Sequence, residues 1–340
     1  MSARTTERET TMTEAASTMK AVVRDRFGSP DVLALREVAK PELVDDGVLV
    51  RVRAASVNAA DWYDLKGMPL VARTAMGLRT PKQAGTGTDF AGTVEAVGKD
   101  VAGIQPGDEV FGARSGSCAE YVCVRGAVGR KPANLSFEEA AAVPVAAITA
   151  LQGLRDKGGL QPGQKVLVNG ASGGVGTFAV QIAKLLGADL TAVCSTGNVE
   201  TARSLGADRV VDYTREDFTR IGERFDLVLD VSGTRSWSDY KRILAPGATH
   251  VIVGAPRPGA RLLGPLRHVI KLRLASLGSS RKVVFFIAKL NKPDLAYLAE
   301  LLESGAIRPV IEKTYSLGET AEALRYLGEG HARGKLVITV

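Results

Sequence analysis

Hydrophobic and polar positions follow two different patterns along the chain. In the first third, short apolar runs alternate with turn residues such as Gly-Ser-Pro at 28–30 and Pro-Gly-Asp at 106–108. This pattern predicts β-strands. The predicted strands cover residues 20–24, 33–37, 47–56, 89–97, 109–111 and 119–124. The first third of the chain is therefore expected to form an all-β region.

After residue 132 the pattern changes to strands that alternate with helices. A helix is predicted over 136–154, because Ser136 and Glu139 have the spacing of a capping box. Such alternation is typical of a doubly wound α/β fold with a parallel sheet. The predicted strands cover 166–168, 190–194, 209–211, 227–230, 250–253 and 283–288. Helices at 295–304 and 320–326 and a strand at 336–340 complete the prediction.

A glycine-rich turn follows the strand at 166–168 and precedes an apolar helical stretch. Free N–H groups and the positive end of the helix dipole point at one place in such a turn, which predicts a pyrophosphate site. The alternative is an ordinary turn without a ligand. The residues with the A-x-G-x-x-G spacing, all predicted to bind the cofactor, are Ala171, Ser172, Gly173, Gly174, Val175 and Gly176.

The end of the next strand predicts which cofactor is bound. An NAD-selective site has Asp or Glu there, about 20 residues beyond the glycines, whereas this chain has Ser195 and Thr196. No carboxylate is available to repel a 2′-phosphate, and the hydroxyls are able to donate hydrogen bonds to it. Arg203 adds positive charge nearby. NADPH is therefore predicted in preference to NADH.

Composition agrees with an enzyme that binds a phosphorylated cofactor. The chain has 340 residues, a net charge of +7 and 45% hydrophobic residues, which predicts two domains with a sizeable core. Lys and Arg are spread along the chain without an aromatic-basic cluster, so no nucleic-acid partner is expected. An odd number of cysteines without a secretion signal predicts a reducing, cytoplasmic location.

Three motifs carry a family resemblance. They are G-T-D-F-A-G-T-V-E-A-V-G at 87–98, Q-P-G-D-E-V-F-G at 105–112 and the glycine turn at 171–176. From residue 19 onward the chain resembles the medium-chain dehydrogenase/reductases. Motifs at 56–61, 143–151 and 205–213 are most similar to the zinc-independent quinone oxidoreductase (ζ-crystallin-like) branch.

The resemblance implies an α/β fold of two domains. A GroES-like, β-rich catalytic domain would comprise residues 19–144 and 290–340. A Rossmann domain with a doubly wound parallel sheet would comprise residues 145–289 and bind NADPH. Residues 1–18 are polar and are predicted to form a disordered tail, with Met12 or Met19 as an alternative start.

The resemblance also implies roles for individual residues. Asn58 and Tyr63 would face the nicotinamide, and Thr149 would contact its carboxamide or ribose. Tyr63 is either a proton donor to the acceptor oxygen or part of the pocket wall beside Trp62. Further cofactor contacts are expected from Tyr213, Gly254 and Lys335.

Residue types argue against a zinc site. Zinc-dependent relatives have Cys where this chain has Asn58, and His-Glu where it has Thr88-Asp89. Zinc requires three or four converging ligands, and no motif here assembles them. A second difference from relatives is Gly197, where many have an Arg that grips the 2′-phosphate. NADPH preference is therefore expected to be shallower than usual.

The predicted function is NADPH-dependent reduction of quinones or of α,β-unsaturated and activated carbonyl compounds, by a homodimer acting on a small molecule. Two alternatives stay open within the enzyme class: an alcohol dehydrogenase and a tailoring enoyl reductase. A third belongs to another class, a non-catalytic NADPH-binding scaffold or RNA-binding protein.

Two segments have open interpretations. Residues 66–84 form either a substrate lid, with Arg73 or Arg79 near the acceptor, or a solvated surface loop, which we favour. Residues 259–282 have apolar positions at helical spacing beside basic residues, a pattern that indicates peripheral membrane contact. The alternative for this segment, which we favour, is packing near the cofactor or a dimer partner.

Overall fold

In a computed structural model of the protein, residues 17–233, 235–254 and 266–340 are described, and their strands form three sheets. The strands are β1 (Thr18–Val23), β2 (Ala34–Ala39), β3 (Gly47–Val57), β4 (Asp89–Val97), β5 (Glu109–Ala113), β6 (Tyr121–Arg125), β7 (Val128–Arg130), β8 (Lys165–Asn169), β9 (Asp189–Cys194), β10 (Arg209–Asp212), β11 (Phe225–Asp230), β12 (Leu244–Ile252), β13 (Lys282–Phe285), β14 (Ile311–Ser316) and β15 (Lys335–Thr339). The helices are α1 (Ala59–Lys66), α2 (Arg73–Met76), α3 (Phe137–Ala141), α4 (Pro144–Leu151), α5 (Gly174–Leu185), α6 (Val199–Ser204), α7 (Trp237–Ile243), α8 (Leu266–Ala275), α9 (Lys292–Glu303) and α10 (Thr320–Glu329).

A six-stranded parallel sheet has the order β10-β9-β8-β11-β12-β13. Val166, Leu167 and Val168 of its central strand β8 are fully buried, as expected for a parallel strand covered on both faces. The strand order reverses between β8 and β11, and ligands bind at such a reversal, beyond the carboxyl ends of the strands. The predicted doubly wound α/β fold is confirmed.

A seven-stranded sheet combines the first third of the chain with its end. Its order is β14-β15-β3-β4-β5-β7, with β6 also paired to β3. β15 runs antiparallel to β3, and Leu336 lies opposite Val57 in the register. This pairing brings residues near position 335 beside residues near position 58. The predicted domain boundaries at 144 and 290 stay predictions.

The amino-terminal prediction needs a small correction. Thr18 already belongs to β1 and pairs with Ala39 of β2, so the first described strand begins inside the predicted tail 1–18. The Ser17 carbonyl accepts a hydrogen bond from the amide of Lys40. Residues 1–16 lie outside the described residues.

The single helix predicted over 136–154 is wrong, because Pro144 divides it. The Ser136–Glu139 capping box starts α3, with both hydrogen bonds present at 2.8 and 3.1 Å. Proline lacks an N–H group and favours the first turn of a helix, so α4 begins anew at Pro144. A π-helical turn at Gln152–Lys157 continues α4. The predicted strand over 283–288 is shorter in the structure, since β13 ends at Phe285.

The two segments with open interpretations have definite structure where they are described. Within 66–84, Arg73 donates from Nε to the carbonyl of Gly67 at 3.0 Å, and its guanidinium lies 4.6 Å from the Phe27 ring centroid. In α8, Val269 and Leu272 are buried while Leu274 is exposed. Residues 259–265 of the second segment lie outside the described residues. Among the described helices, none has both the length and the apolar character needed to cross a membrane.

Candidate active site

The glycine turn lies between β8 and α5, at the carboxyl edge of the parallel sheet. A Cβ added to Gly176 would lie 2.1 Å from the Gly170 carbonyl oxygen, so the helix approaches the turn too closely for any side chain there. Gly173 precedes α5 without a side-chain cap, and a Cβ added to it would have only the Gly170 oxygen nearby, at 3.8 Å. The first amides of α5 have no partner within the helix. The turn has the donors and the open space that a pyrophosphate requires.

Other residues hold the shape of the turn. Ala171 is fully buried, and its amide donates to the Val193 carbonyl at 3.0 Å, which joins the turn to β9. Ser172 and Val175 are half-buried, and Val175 packs against the main core. Gly174 begins α5.

The buried carboxylate of Asp230 supports the turn from β11. It accepts hydrogen bonds from Asn169 Nδ2 at 2.9 Å, from the Gly233 amide at 2.8 Å and from Tyr240 Oη at 2.5 Å. Burial alone would raise the pKa of Asp230, but hydrogen bonds from His250, Tyr240 and the Gly233 amide hold that pKa below its usual value. The ends of β8 and β11 are thereby fixed next to each other.

Gly254 follows β12 at the same edge. A Cβ added to Gly254 would lie 1.8 Å from the Val231 carbonyl oxygen. Its amide donates to the Asp230 carbonyl at 3.2 Å. Only glycine allows β12 to end this close to β11, which brings Gly254 to the expected edge of a cofactor site.

Several residues at the end of β9 are hydrogen-bonded to one another or to neighbouring residues. Ser195 Oγ accepts from Asn198 Nδ2 at 2.9 Å, and Tyr213 is 52% exposed beside it, with its amide bonded to the Cys194 carbonyl at 3.0 Å. Two of the predicted cofactor contacts have protein partners: Thr196 donates to Asp212 Oδ2 at 2.6 Å, and Arg203 pairs with Glu200 at 2.7 Å. Their roles at the cofactor stay predictions.

A buried cluster centred on Asp89 lies at the edge of the seven-stranded sheet. Asp89 is 0% exposed, and its Oδ2 accepts from Ser56 Oγ at 3.0 Å, Asn58 Nδ2 at 2.9 Å and Lys335 Nζ at 3.0 Å. Its Oδ1 accepts from the Val145 amide, in the first turn of α4, at 3.0 Å. We call Ser56, Asn58, Asp89 and Lys335 the Asp89 cluster. Its carboxylate is fully hydrogen-bonded, as a buried charge requires.

Lys335 connects this cluster to the glycine turn. It is 3% exposed, and its Nζ lies 2.6 Å from Asn58 Oδ1 as well as 3.0 Å from Asp89 Oδ2. Its side chain runs along Gly174, where an added Cβ would lie 2.9 Å from Lys335 Cδ. The sequence predicts a cofactor contact for Lys335; the structure directs its ammonium group to Asn58 and Asp89.

Asp61 braces the start of α1. Its Oδ2 accepts from the Asn58 amide at 2.7 Å, and its Oδ1 accepts from Thr88 Oγ1 at 2.5 Å. Burial raises the pKa of Asp61 from 3.8 to about 6, despite these hydrogen bonds and the nearby positive charge of Lys335. A group that titrates near neutrality therefore lies beside Asn58.

Two family models match the chain. The alcohol dehydrogenase GroES-like domain matches residues 44–153, and the model described as a zinc-binding dehydrogenase matches residues 205–338. A mitochondrial NAD(P)H oxidoreductase of Mus musculus, RTN4IP1, is 36% identical over 96% of this chain and 91% of the relative. The 2-methylene-furan-3-one reductase of Solanum lycopersicum is 36% identical over 95% of this chain and 79% of the relative.

A solved structure agrees with these relatives. The quinone oxidoreductase from Coxiella burnetii has a TM-score of 0.82 at 30% identity and covers 95% of this chain and 100% of that one. The chain belongs to the medium-chain dehydrogenase/reductase superfamily, in its quinone oxidoreductase branch. It is an oxidoreductase that uses a nicotinamide cofactor. The predicted family and its GroES-like and Rossmann-like folds are confirmed.

Two predicted site residues of this medium-chain dehydrogenase/reductase have neighbours that the sequence did not reveal. The Tyr63 ring is half-buried and meets Trp62 edge to face, with ring centroids 5.2 Å apart. Trp62 in turn packs against α10 at Gly328, where an added Cβ would lie 2.2 Å from its Nε1. The Thr149 hydroxyl donates to the Val145 carbonyl at 2.6 Å, within α4. Their roles at the cofactor stay predictions.

Sequence reasoning missed that Ser56 and Asp89 belong to the site. The two residues lie directly opposite each other in the β3–β4 register. A signal existed, because Ser56 lies between Ala55 and Val57 and Asp89 directly precedes Phe90, so each is a polar residue next to apolar ones near the end of a strand. Within residues 17–233, 235–254 and 266–340, no three His, Cys, Asp or Glu side chains are grouped so that they could hold a metal ion.

Proposed function

We propose that this protein transfers hydride from NADPH to quinones or to α,β-unsaturated carbonyl compounds, without zinc. The observation that carries the proposal is the path of Lys335. Its side chain lies on the glycine turn at Gly174 and ends in the Asp89 cluster. One residue therefore connects a pyrophosphate cradle to a buried polar site beside α1.

NADPH is the cofactor that the residues favour. It supplies the hydride when bound, and the amides of α5 with the open space over Gly173 would hold its pyrophosphate. Ser195 stands where an NAD-selective site has a carboxylate. The net charge of +7 further favours the more anionic cofactor.

Asn58 is proposed to hold the acceptor oxygen. Its Oδ1 accepts from Lys335 and one N–H of Nδ2 donates to Asp89, so the amide is fixed in one orientation. No described residue accepts the second N–H of Nδ2, which would donate to a substrate oxygen. Quinones and enones delocalise the incoming charge, so a positioned donor suffices where an isolated carbonyl would require a stronger electrophile. Tyr63 would then provide the proton.

The proposal that the reaction does not require zinc rests on which side chains are present at the site. Zinc is held by thiolate, imidazole or carboxylate ligands, but the positions used by zinc-dependent relatives are Asn58 and Thr88-Asp89 here. The ammonium group of Lys335 already lies 2.6 Å from Asn58 and 3.0 Å from Asp89. A divalent cation at that point would be repelled by the fixed positive charge.

A spectrophotometric panel tests the proposed reaction. The purified protein is mixed with NADPH and a series of quinones, enones, saturated aldehydes and enoyl thioesters, and loss of the NADPH absorbance band is followed. We expect oxidation with quinones or enones and little with saturated aldehydes. Turnover confined to aldehydes or enoyl thioesters would favour the alcohol dehydrogenase or enoyl reductase alternative. Cofactor binding without oxidation of any acceptor would favour the non-catalytic alternative.

A homodimer formed at β13 is proposed as the assembly. β13 is the last strand of the parallel sheet and leaves one edge without a partner among the described strands, and an open edge invites pairing. Exposed Leu274, Leu277 and Ile287 lie near it in the chain. Light scattering after gel filtration should give twice the monomer mass, whereas a monomer bound to anionic liposomes would favour membrane contact. A cytoplasmic location and the absence of a nucleic-acid partner remain predictions.

A further inference from the structure

The turn that follows β9 has a gap, because Gly197 carries no side chain there. Gly197 lies in a short turn, Thr196–Asn198, directly after Ser195. Thr196 is bonded to Asp212, and Arg203 pairs with Glu200 in the next helix. The cation that the sequence predicts for a 2′-phosphate, Arg203, is therefore already paired with a carboxylate.

Arg333 lies over this gap. A Cβ added to Gly197 would have the Arg333 guanidinium as its nearest neighbours, with Nη1 at 3.5 Å, Cζ at 3.7 Å and Nη2 at 3.8 Å. Arg333 is exposed, and its guanidinium makes no hydrogen bond or ion pair with the part of the chain that the structure describes. A charged group is thus present beside Gly197 with its donors unused.

The backbone on both sides of Arg333 is fixed. Its amide donates to Glu312 Oε2 at 2.6 Å, and Glu312 Oε1 accepts from Tyr326 at 2.7 Å. Two residues later, the Lys335 amide donates to the Val310 carbonyl at 2.8 Å. Gly334, between them, has its carbonyl oxygen 3.5 Å from a Cβ added to Gly174. The segment 333–335 therefore passes across the glycine turn, from the end of β9 to the Asp89 cluster.

We propose that the Arg333 guanidinium binds the 2′-phosphate of the adenosine ribose and sets the preference for the phosphorylated cofactor. The inference rests on the proposed use of NADPH. A guanidinium donates two parallel hydrogen bonds to a phosphate, which a lone hydroxyl cannot do. Arg333 supplies from the carboxyl-terminal segment the charge that Gly197 lacks.

A carboxylate, Asp212, lies beside this site, although the sequence predicts that none is available to repel a 2′-phosphate. Asp212 accepts hydrogen bonds from Thr196 at 2.6 Å and from Thr214 at 2.7 Å, and Arg215 lies 3.5 Å away. These donors hold the pKa of Asp212 below its usual value, chiefly through Thr196, so the carboxylate stays charged and a 2′-phosphate beside it requires a cation to offset the repulsion. Arg333, whose guanidinium has no bond to the described residues, supplies that positive charge beside Gly197.

Titration calorimetry of NADPH, NADH, 2′,5′-ADP and 5′-AMP tests this assignment. In R333A, we expect the Kd of NADPH and of 2′,5′-ADP to rise about 10- to 100-fold, as expected for loss of a charge-assisted contact. The Kd of NADH and of 5′-AMP should change less than about twofold, since neither carries the 2′-phosphate. R308A is a matched control, because Arg308 is exposed and its recorded bonds, to Gln181, use only its backbone. Circular dichroism confirms that each variant is folded.

A variant that moves the positive charge from position 333 to position 197 gives a further test. A side chain at 197 fits, because its Cβ would be in ordinary contact with Arg333 and Gly197 does not have a positive φ. R333A/G197R should therefore recover most of the NADPH preference. If wild-type protein binds NADPH and NADH equally, the proposed cofactor fails. If wild-type protein prefers NADPH and R333A keeps that preference, or if R203A loses it instead, only the assignment of Arg333 fails.

Discussion

The two ends of the segment 333–335 show opposite ways of placing a positive charge. At one end, Lys335 is 3% exposed and bonded to Asn58 and Asp89. At the other end, Arg333 is exposed and faces the empty position at Gly197. The fold needs the charge of Lys335, because this charge compensates the buried carboxylate of Asp89. The second charge, on Arg333, has no side-chain partner among the described residues and is available to a ligand.

The difference between these two charges separates an effect on protein stability from an effect on cofactor selectivity. Removing one member of a buried ion pair leaves the other charge uncompensated and is costly, whereas exposed side chains without partners contribute little to stability. We therefore expect changes in the Asp89 cluster to affect folding and chemistry together. Changes at Arg333 should affect only the choice of cofactor.

The largest effect is expected from K335M. Loss of the ammonium group leaves the Asp89 carboxylate buried with neutral donors only, which should lower the free energy of unfolding by about 3–5 kcal/mol. R333A should change it by less than about 0.5 kcal/mol. Urea unfolding measures both variants. K335M/D89N removes both charges and should recover at least half of the loss; equal stability of K335M and wild type would refute the contrast between the two ends.

The glycine turn offers a second contrast, between G176A and G173A. The Cβ of the first would lie 2.1 Å from backbone, so overpacking should cost about 1–3 kcal/mol and weaken cofactor binding. The Cβ of the second meets only one atom, at 3.8 Å, so G173A should fold normally. G173A should nevertheless weaken NADPH binding, because its methyl group enters the space proposed for the pyrophosphate. Thermal unfolding and calorimetry separate the two effects, and unchanged NADPH affinity in G173A would place the pyrophosphate elsewhere.

Tyr63 tests whether the nicotinamide end also supplies a proton. Y63F removes the hydroxyl but keeps the ring against Trp62, and thermal unfolding of the variant checks its stability. We expect turnover to fall at least tenfold, which corresponds to about 1.4 kcal/mol in the activation free energy. Single-turnover rates with a quinone measure this directly. An unchanged rate would make Tyr63 part of the pocket wall.

The smallest effect concerns the pH dependence of stability. Because burial raises the pKa of Asp61 to about 6, the folded protein binds this proton more tightly than the unfolded chain. The free energy of unfolding should therefore fall as pH rises from about 4 to 6 and then level off. Relative to D61N, the wild type should lose on the order of 1 kcal/mol between pH 5 and pH 7.5. Parallel pH profiles for the two proteins would show that Asp61 titrates at its ordinary pKa.

Much of this arrangement is readable from the sequence where the signal is local. The strand–turn–helix at 166–186 and the alternation that follows predict the parallel sheet, because each element buries a continuous apolar run. The break at Pro144 was also readable, since proline disfavours a helix interior. The start of β1 at Thr18 could not be predicted locally, because Thr18 pairs with Ala39 of a strand later in the chain.

The site itself depends on contacts between distant parts of the chain. Lys335 reaches Asn58 only because β15 pairs with β3 in one register. Arg333 covers Gly197 because the same pairing carries its segment across the glycine turn. No local pattern encodes such contacts, so the sequence identified Asn58, Gly197 and Lys335 without revealing how they are related.

The most direct test of the account is the metal dependence of quinone reduction. The protein is treated with a strong chelator, its metal content is measured by mass spectrometry, and NADPH oxidation with a reactive quinone is compared before and after treatment. We predict full activity in the metal-free protein, because the ammonium group of Lys335 occupies the place between Asn58 and Asp89. Activity that disappears on chelation and returns with stoichiometric zinc would contradict the account.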